Sequence, residues 1–114
     1  MAIDIKKKGA VNIFALSGRL TLGPPTIELR DKFKEILDTG ATSFVFDLTK
    51  VPFIDSTSLG ELVACAKRAR ERGGDIKLVL QPKGKVWEVM TMTFLHKSFD
   101  IEESLDDALA AFTK

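Results

Sequence analysis

Three neighbouring hydroxyl side chains, Ser56, Thr57 and Ser58, follow the carboxylate of Asp55 where the sequence predicts that a strand turns into a helix. Upstream, Phe44 to Leu48 is typical of a short buried strand. Downstream, leucine and alanine recur at the three-to-four spacing of an amphipathic helix. Because the first N–H groups of a helix lack internal partners and its dipole favours negative charge, a phosphate on one of these oxygens would be stabilised.

The same hydroxyls have a structural interpretation, since Ser58 and Glu61 have the spacing of a capping box. In that arrangement the Ser58 hydroxyl accepts from the Glu61 N–H and the Glu61 side chain reaches back to the Ser58 N–H. We therefore predict Ser58 as the N-cap, and expect its loss to cost about 1 kcal/mol of stability. One helix start needs one cap, which leaves Ser56 free for another role.

Catalysis has little support in the sequence. There is no Gly-X-Ser-X-Gly elbow around Ser56, and the sole histidine, His96, lies after the third predicted helix. One histidine and one cysteine, Cys65, do not provide the ligand spacing of a zinc site, and there is no glycine-rich phosphate loop. We predict neither an enzyme nor a metal or cofactor site, and expect Cys65 to be a small core residue.

The composition is typical of one soluble globular domain spanning residues 1–114. Apolar residues make up 45% of the chain and the formal net charge is +1, which does not indicate a strongly charged partner. No apolar run approaches the ~20 residues that span a bilayer, and no apolar stretch follows the N-terminal lysines, so we expect a cytoplasmic protein. The basic run from Lys67 to Arg72 fits the exposed end of a helix better than a nucleic-acid patch.

The elements that position the hydroxyls alternate between strands and helices after an opening hairpin. We predict strands at Ile3 to Lys7, Val11 to Ser17, Ser43 to Leu48, Ile76 to Leu80 and Ser98 to Ile101, with helices from Pro24 to about Thr39, from the Asp55 to Gly60 junction to about Arg72, around Val86 to Phe94 and from Ser104 to Phe112. This order predicts an α/β fold with a small mixed sheet that opens with an antiparallel hairpin, later strands mostly parallel and about four α-helices.

Periodicity leaves open whether the helices cover one face of this sheet or both. Charged residues at Asp4, Lys6, Asp47 and Lys77 would suit a partly exposed face. In the third helix we expect Trp87 as a packing anchor, with partner contact as the weaker alternative. We expect Met90, Met92 and Phe94 in the core, with an adaptable apolar contact surface as the alternative. His96 is expected at the surface or at a helix end.

The segment from Val45 to Gly60 resembles the STAS domain family, in particular bacterial anti-sigma factor antagonists. The likeness extends to the opening hairpin, to Gly18-Arg-Leu before the first helix, to the Gly73-Gly74 pair and to the helix that carries Val86. It implies a STAS-like fold. It also implies a protein that binds an anti-sigma factor kinase when unphosphorylated, which frees a sigma factor.

In that family, phosphorylation of the serine directly after the aspartate ends the interaction, and this serine is Ser56 here. The resemblance thus implies that Asp55, Thr57, Ser58, Leu59 and Gly60 form the acceptor loop and the partner-binding first turn. From the low net charge and the lack of a long apolar run, we expect no direct contact with nucleic acid and no insertion into a membrane. We expect a monomer or a weak dimer.

Two positions depart from the family pattern. Ser58 stands where the family usually has glycine, and Thr21 stands where it usually has aspartate after the Gly-X-Leu turn. The family also includes domains that act without a sigma factor. A constitutive STAS subunit of a sensory or transport complex, in which the hydroxyls only cap, therefore stays open. A small-molecule or nucleotide sensor that uses the same helix N-terminus is a third alternative.

Overall fold

A five-stranded sheet forms the centre of the computed structural model, which describes residues 1–112. The strands lie side by side in chain order: β1 (Ala2–Lys8), β2 (Val11–Ser17), β3 (Ser43–Lys50), β4 (Asp75–Val79) and β5 (Asp100–Glu102). β1 pairs with β2 in antiparallel orientation, and every later pair is parallel. The predicted mixed sheet with an opening hairpin is confirmed.

Four α-helices connect or follow the strands, as predicted: α1 (Pro24–Leu37), α2 (Ser56–Glu71), α3 (Lys85–Met92) and α4 (Leu105–Ala111). A short 3₁₀ helix, Leu95–Lys97, lies between α3 and β5. The sequence did not indicate this element. Within residues 1–112, none of the helices combines the length and the apolar character needed to cross a membrane.

Aromatic side chains fill the core between the sheet and α1. Phe14, Phe33, Phe44 and Phe46 are fully buried, and the ring centroids of four contacting pairs among them lie 4.8 to 6.1 Å apart. Such edge-to-face and tilted contacts add to the free energy gained by burying the rings. Leucines and alanines of α2 belong to the same core, so the helix that carries the hydroxyls is held firmly against the sheet.

The opposite face of the sheet is covered in part by α4. Val11, Val45 and Val79 form a second apolar cluster there with Ala108 of α4. Helices therefore lie on both faces, which answers the question that periodicity left open. Lys77 is buried on β4 rather than exposed, and its ammonium lies 2.9 Å from the Asp100 carboxylate.

The end of α3 differs from the prediction. Met90 is buried as expected, but Met92 and Phe94 are 72% and 68% exposed, so their assignment to the core is wrong. Phe94 has a left-handed φ of 61°, which cannot continue an α-helix. The helix therefore ends at Met92, and Phe94 turns outward. Trp87 is half-buried and packs against the main core, as expected of an anchor.

Gly74 should be the glycine at which the fold least tolerates a side chain. It lies between α2 and β4, where a Cβ would overlap the Thr42 carbonyl that accepts a hydrogen bond from Asp75 N–H. We expect Gly74→Ala to lower the free energy of unfolding by about 2–3 kcal/mol in urea denaturation. Gly73→Ala is the matched control.

Gly73 has a φ of +83° but open space around its Cα. Gly73→Ala should lower the free energy of unfolding by only about 1 kcal/mol, because alanine is less stable than glycine in the left-handed region. Equal losses in the two variants would show that the close approach to Thr42 is not what fixes this turn.

Candidate functional site

Asp55 is the N-cap of α2. Its Oδ1 accepts a hydrogen bond from Ser58 N–H at 2.9 Å, and its Oδ2 accepts one from Leu22 N–H at 2.7 Å. One carboxylate thus satisfies a free N–H of the helix and binds the loop before α1. The prediction of Ser58 as the N-cap is wrong, because the carboxylate three residues earlier takes the Ser58 N–H and the helix begins at Ser56.

Backbone hydrogen bonds hold the same two segments together. Leu20 N–H donates to Phe53 O at 3.0 Å, and Asp55 N–H donates to Leu20 O at 3.3 Å. Leu20 and Ile54 form an isolated parallel bridge, and both side chains are buried. The loop that follows β2 therefore fixes where α2 begins.

The three hydroxyls occupy the first three positions of α2 but face different surroundings. Ser56 and Thr57 are exposed, whereas Ser58 is fully buried. The first backbone hydrogen bond of the helix runs from Leu59 N–H to Asp55 O at 3.0 Å. By helix geometry, the N–H groups of Ser56 and Thr57 precede this ladder and have no acceptor within the helix. Ser56 therefore combines an accessible hydroxyl with an anion-favouring backbone.

The hydrogen bonds to Asp55 hold the pKa of its carboxyl below its usual value. The largest cause is the Leu22 N–H, followed by the Ser58 N–H. Because the pKa is lowered in the folded state, the stability from this cap is present above the ordinary carboxyl pKa and is lost as the pH falls through the lowered one. At neutral pH the cap is fully formed.

Ser58 does not form a capping box. Its Oγ is buried without a well-aligned hydrogen-bond partner among residues 1–112, although it lies close enough to the Asp55 carboxylate to lower its pKa slightly. Glu61 instead extends toward two arginines, with carboxylate oxygens 3.6 Å from Arg30 and 4.0 Å from Arg68. Glu61, which was predicted to complete a capping box, therefore links α2 to α1.

A groove of about 320 Å³ lies beside the first turn of α2. It is lined by Leu22 and Ile27, which are 70% and 47% exposed, together with Arg30, Thr57 and Gly60. Exposed apolar side chains that are grouped in this way are typical of an interaction surface. Sequence reasoning missed Leu22, Ile27 and Arg30, because only the tertiary fold brings α1 next to the hydroxyls.

The remaining predicted site residues divide between surface and core. Leu59 is buried, so it anchors the first turn of α2 and offers no surface. Gly60 is exposed and would leave a Cβ in open space. Thr21 accepts a hydrogen bond from the Thr26 hydroxyl through its carbonyl oxygen at 2.6 Å. This contact links the loop before α1 to the first turn of that helix.

The other residues with reactive side chains lie elsewhere. Cys65 is buried within α2, as expected, and burial raises the pKa of its thiol to about 12. His96 lies in the 3₁₀ helix and contacts the ring of Trp87. In the part of the chain that the structure describes, no group of three or more His, Cys, Asp or Glu side chains could hold a metal ion.

Comparison with known proteins supports one family. A model of the STAS domain matches residues 2–108. A candidate anti-sigma factor antagonist of Thermotoga maritima superposes with a TM-score of 0.90 and 26% identity over 98% of this chain and 95% of that one. An anti-sigma factor antagonist of Mycobacterium paratuberculosis gives 0.85 and 23%, over 99% and 94%. The phosphorylated form of the Bacillus cell fate determinant SpoIIAA gives 0.75 and 17%, over 97% and 99%.

The geometry of the cap separates the roles of two side chains. We expect Asp55→Ala to lower the free energy of unfolding by about 1–2 kcal/mol, because Ser58 N–H and Leu22 N–H both lose their acceptor. Asp55→Asn should cost less, since its one carbonyl oxygen can still accept one of them. Ser58→Ala should change stability by less than about 0.5 kcal/mol or increase it, because it removes a buried hydroxyl without a well-aligned partner.

Urea denaturation of the three variants measures these differences. A loss of stability in Ser58→Ala equal to that in Asp55→Ala would contradict the assignment of Asp55 as the cap.

Proposed function

The chain belongs to the STAS domain family, and from this premise we propose that it is an anti-sigma factor antagonist. In its unphosphorylated form it binds an anti-sigma factor of the serine kinase type and frees a sigma factor. Phosphorylation of Ser56 ends that interaction. The observation that carries the proposal is the exposed Ser56 hydroxyl in the first position of α2, where Asp55 already provides the cap.

The start of α2 suits a phosphate that must not disturb the fold. Phosphorylation adds a charge of about −1.5 to −2 and several acceptor oxygens. The N–H groups of Ser56 and Thr57 and the positive end of a 16-residue helix dipole would stabilise this charge. The neighbouring Asp55 carboxylate repels it, but two backbone N–H donors already compensate that carboxylate.

The same phosphate would disrupt a close interface. Leu22 and Ile27 form the apolar part of the groove beside α2, and a partner that buries them must also approach Thr57 and Gly60. A doubly charged group on the adjacent Ser56 would then have to be desolvated or would repel carboxylates of the partner. Phosphorylation therefore acts on binding and leaves the fold almost unchanged.

The similar proteins agree with this function. The Mycobacterium protein is described as an anti-sigma factor antagonist, the Thermotoga protein as a candidate one, and the Bacillus protein is described in a phosphorylated form. We propose that the present chain acts in the same way, by binding a partner and not by catalysis. The placement of the cysteine and the histidine agrees with a binding role. The Cys65 thiol is buried, and His96 lies on a different element from Ser56.

Phosphorylation should occur at Ser56 and not at its neighbours. We expect the anti-sigma factor kinase, isolated from native cells by its affinity for this protein, to add one phosphate in the presence of ATP, measured by intact mass. Ser56→Ala should abolish this addition. Thr57→Ala should retain it, because Thr57 is also exposed but lies one residue further into the helix.

Ser58→Ala is the buried control, since its hydroxyl cannot reach a kinase without unfolding of the helix start. Loss of phosphorylation in Thr57→Ala or Ser58→Ala but not in Ser56→Ala would move the acceptor to that neighbour. No phosphorylation of any variant would favour a constitutive STAS subunit.

Gly60→Ala should stabilise the fold but weaken binding of the partner. Its Cα faces open space within α2, and alanine is favoured over glycine in a helix, so Gly60→Ala should raise the free energy of unfolding by about 0.5–1 kcal/mol. If the partner packs against this turn, the added methyl group should weaken its binding although the fold is more stable. Calorimetric titration and urea denaturation of the same sample would test both effects. Unchanged affinity would remove Gly60 from the interface.

A further inference from the structure

A second cavity, of about 530 Å³, lies between α3, the 3₁₀ helix and the open edge of β5. It shares no residue with the groove beside Ser56. Leu80, Trp87, Phe99 and Ile101 give it an apolar and aromatic lining. This volume is within the range of small-molecule sites. The cavity also lies just beyond the carboxyl end of β4, where ligands of α/β proteins commonly bind.

His96 provides a polar group in this lining. Its Nδ1 is buried and has no hydrogen-bond partner within residues 1–112, while its ring contacts that of Trp87 at a centroid distance of 5.9 Å. A buried imidazole nitrogen without a partner is unfavourable, because it has lost its hydrogen bonds to water. This unfavourable group lies in the wall of the cavity, next to Trp87.

Backbone strain occurs around the same cavity. Lys83 and Phe94 both have a φ of 61°, and they are the only non-glycine residues with positive φ in the described part of the chain. Lys83 lines the cavity, and Phe94 precedes the 3₁₀ helix that carries His96, with its ring 6.5 Å from the imidazole. Strained residues of this kind persist where the surrounding structure fixes them, and they cluster at ligand sites.

The charges at the rim favour a cation. Glu102 and Glu103 line the cavity with Lys83, whereas the Asp100 carboxylate is occupied by Lys77 at 2.9 Å. Among these rim residues, two acidic side chains therefore accompany one basic side chain. An indole such as that of Trp87 also attracts cations to its face.

We propose that this cavity binds a small aromatic amine. The aromatic ring packs against Trp87 and the apolar lining, and the ammonium group lies near Glu102 and Glu103. The cavity is separate from Ser56, so this proposal does not depend on the proposed function.

Three probes with the same ring test both the preferred charge of the ligand and the location of its binding site: 2-phenylethylamine, 2-phenylethanol and phenylacetate. Trp87 and His96 are the only tryptophan and histidine of the chain, so each gives one resolved side-chain signal in an NMR titration. We expect 2-phenylethylamine to shift both signals saturably and to bind about threefold or more tightly than 2-phenylethanol, with phenylacetate weakest. No saturable shift at Trp87 and His96, or phenylacetate binding as tightly as the amine, would overturn the proposal.

Variants at the rim provide the second arm of the experiment. The double substitution Glu102→Gln with Glu103→Gln should remove the preference for the amine over the alcohol but retain binding of the ring. Glu71→Gln, at an exposed carboxylate outside this cavity, is the matched control and should retain the preference. A double variant that still prefers the amine, with an amide spectrum showing the native fold, would contradict the assigned role of the two carboxylates.

Discussion

The Asp55 carboxylate joins two parts of the chain that are 33 residues apart, and the arrangement of the whole site depends on it. One oxygen caps α2 through Ser58 N–H, and the other holds Leu22 N–H in the loop before α1. Since both oxygens are used, no other common side chain can satisfy both donors equally well. The cap therefore fixes the position of the first turn of α2 relative to Leu22, on the apolar side of the groove.

Under the proposed function, this arrangement separates stability from signalling within the first turn of α2. Ser58 and Leu59 are buried and belong to the packed side of the helix, whereas Ser56 lies on the solvent side and is not the cap. A charge on Ser56 therefore meets solvent and helix N–H groups in the free protein. It meets a desolvated surface only when a partner covers the groove. A reversible switch requires this difference between the free and bound states.

The order of strands and helices could be predicted from the sequence, because their periodicity is strong and Gly73 marks the end of α2 clearly. The position of the cap could not, since Asp55 and Ser58 are both good N-cap residues three positions apart, and periodicity does not resolve a shift of that size. Leu22 was missed because its contact with Asp55 is entirely tertiary. Phe94 is exposed because its backbone is left-handed, and no residue type in its segment predicts that conformation.

The central claim is that charge at Ser56 changes binding and not folding, and Ser56→Ala and Ser56→Asp test it most directly. Both variants should melt close to the unmodified protein, with the aspartate changing the free energy of unfolding by no more than about 1 kcal/mol. In calorimetric titration against the proposed partner, an anti-sigma factor kinase, Ser56→Ala should bind as the unmodified protein does. Ser56→Asp should lose about tenfold or more in affinity, a change larger than its effect on stability. Equal affinities for all three proteins would contradict the account.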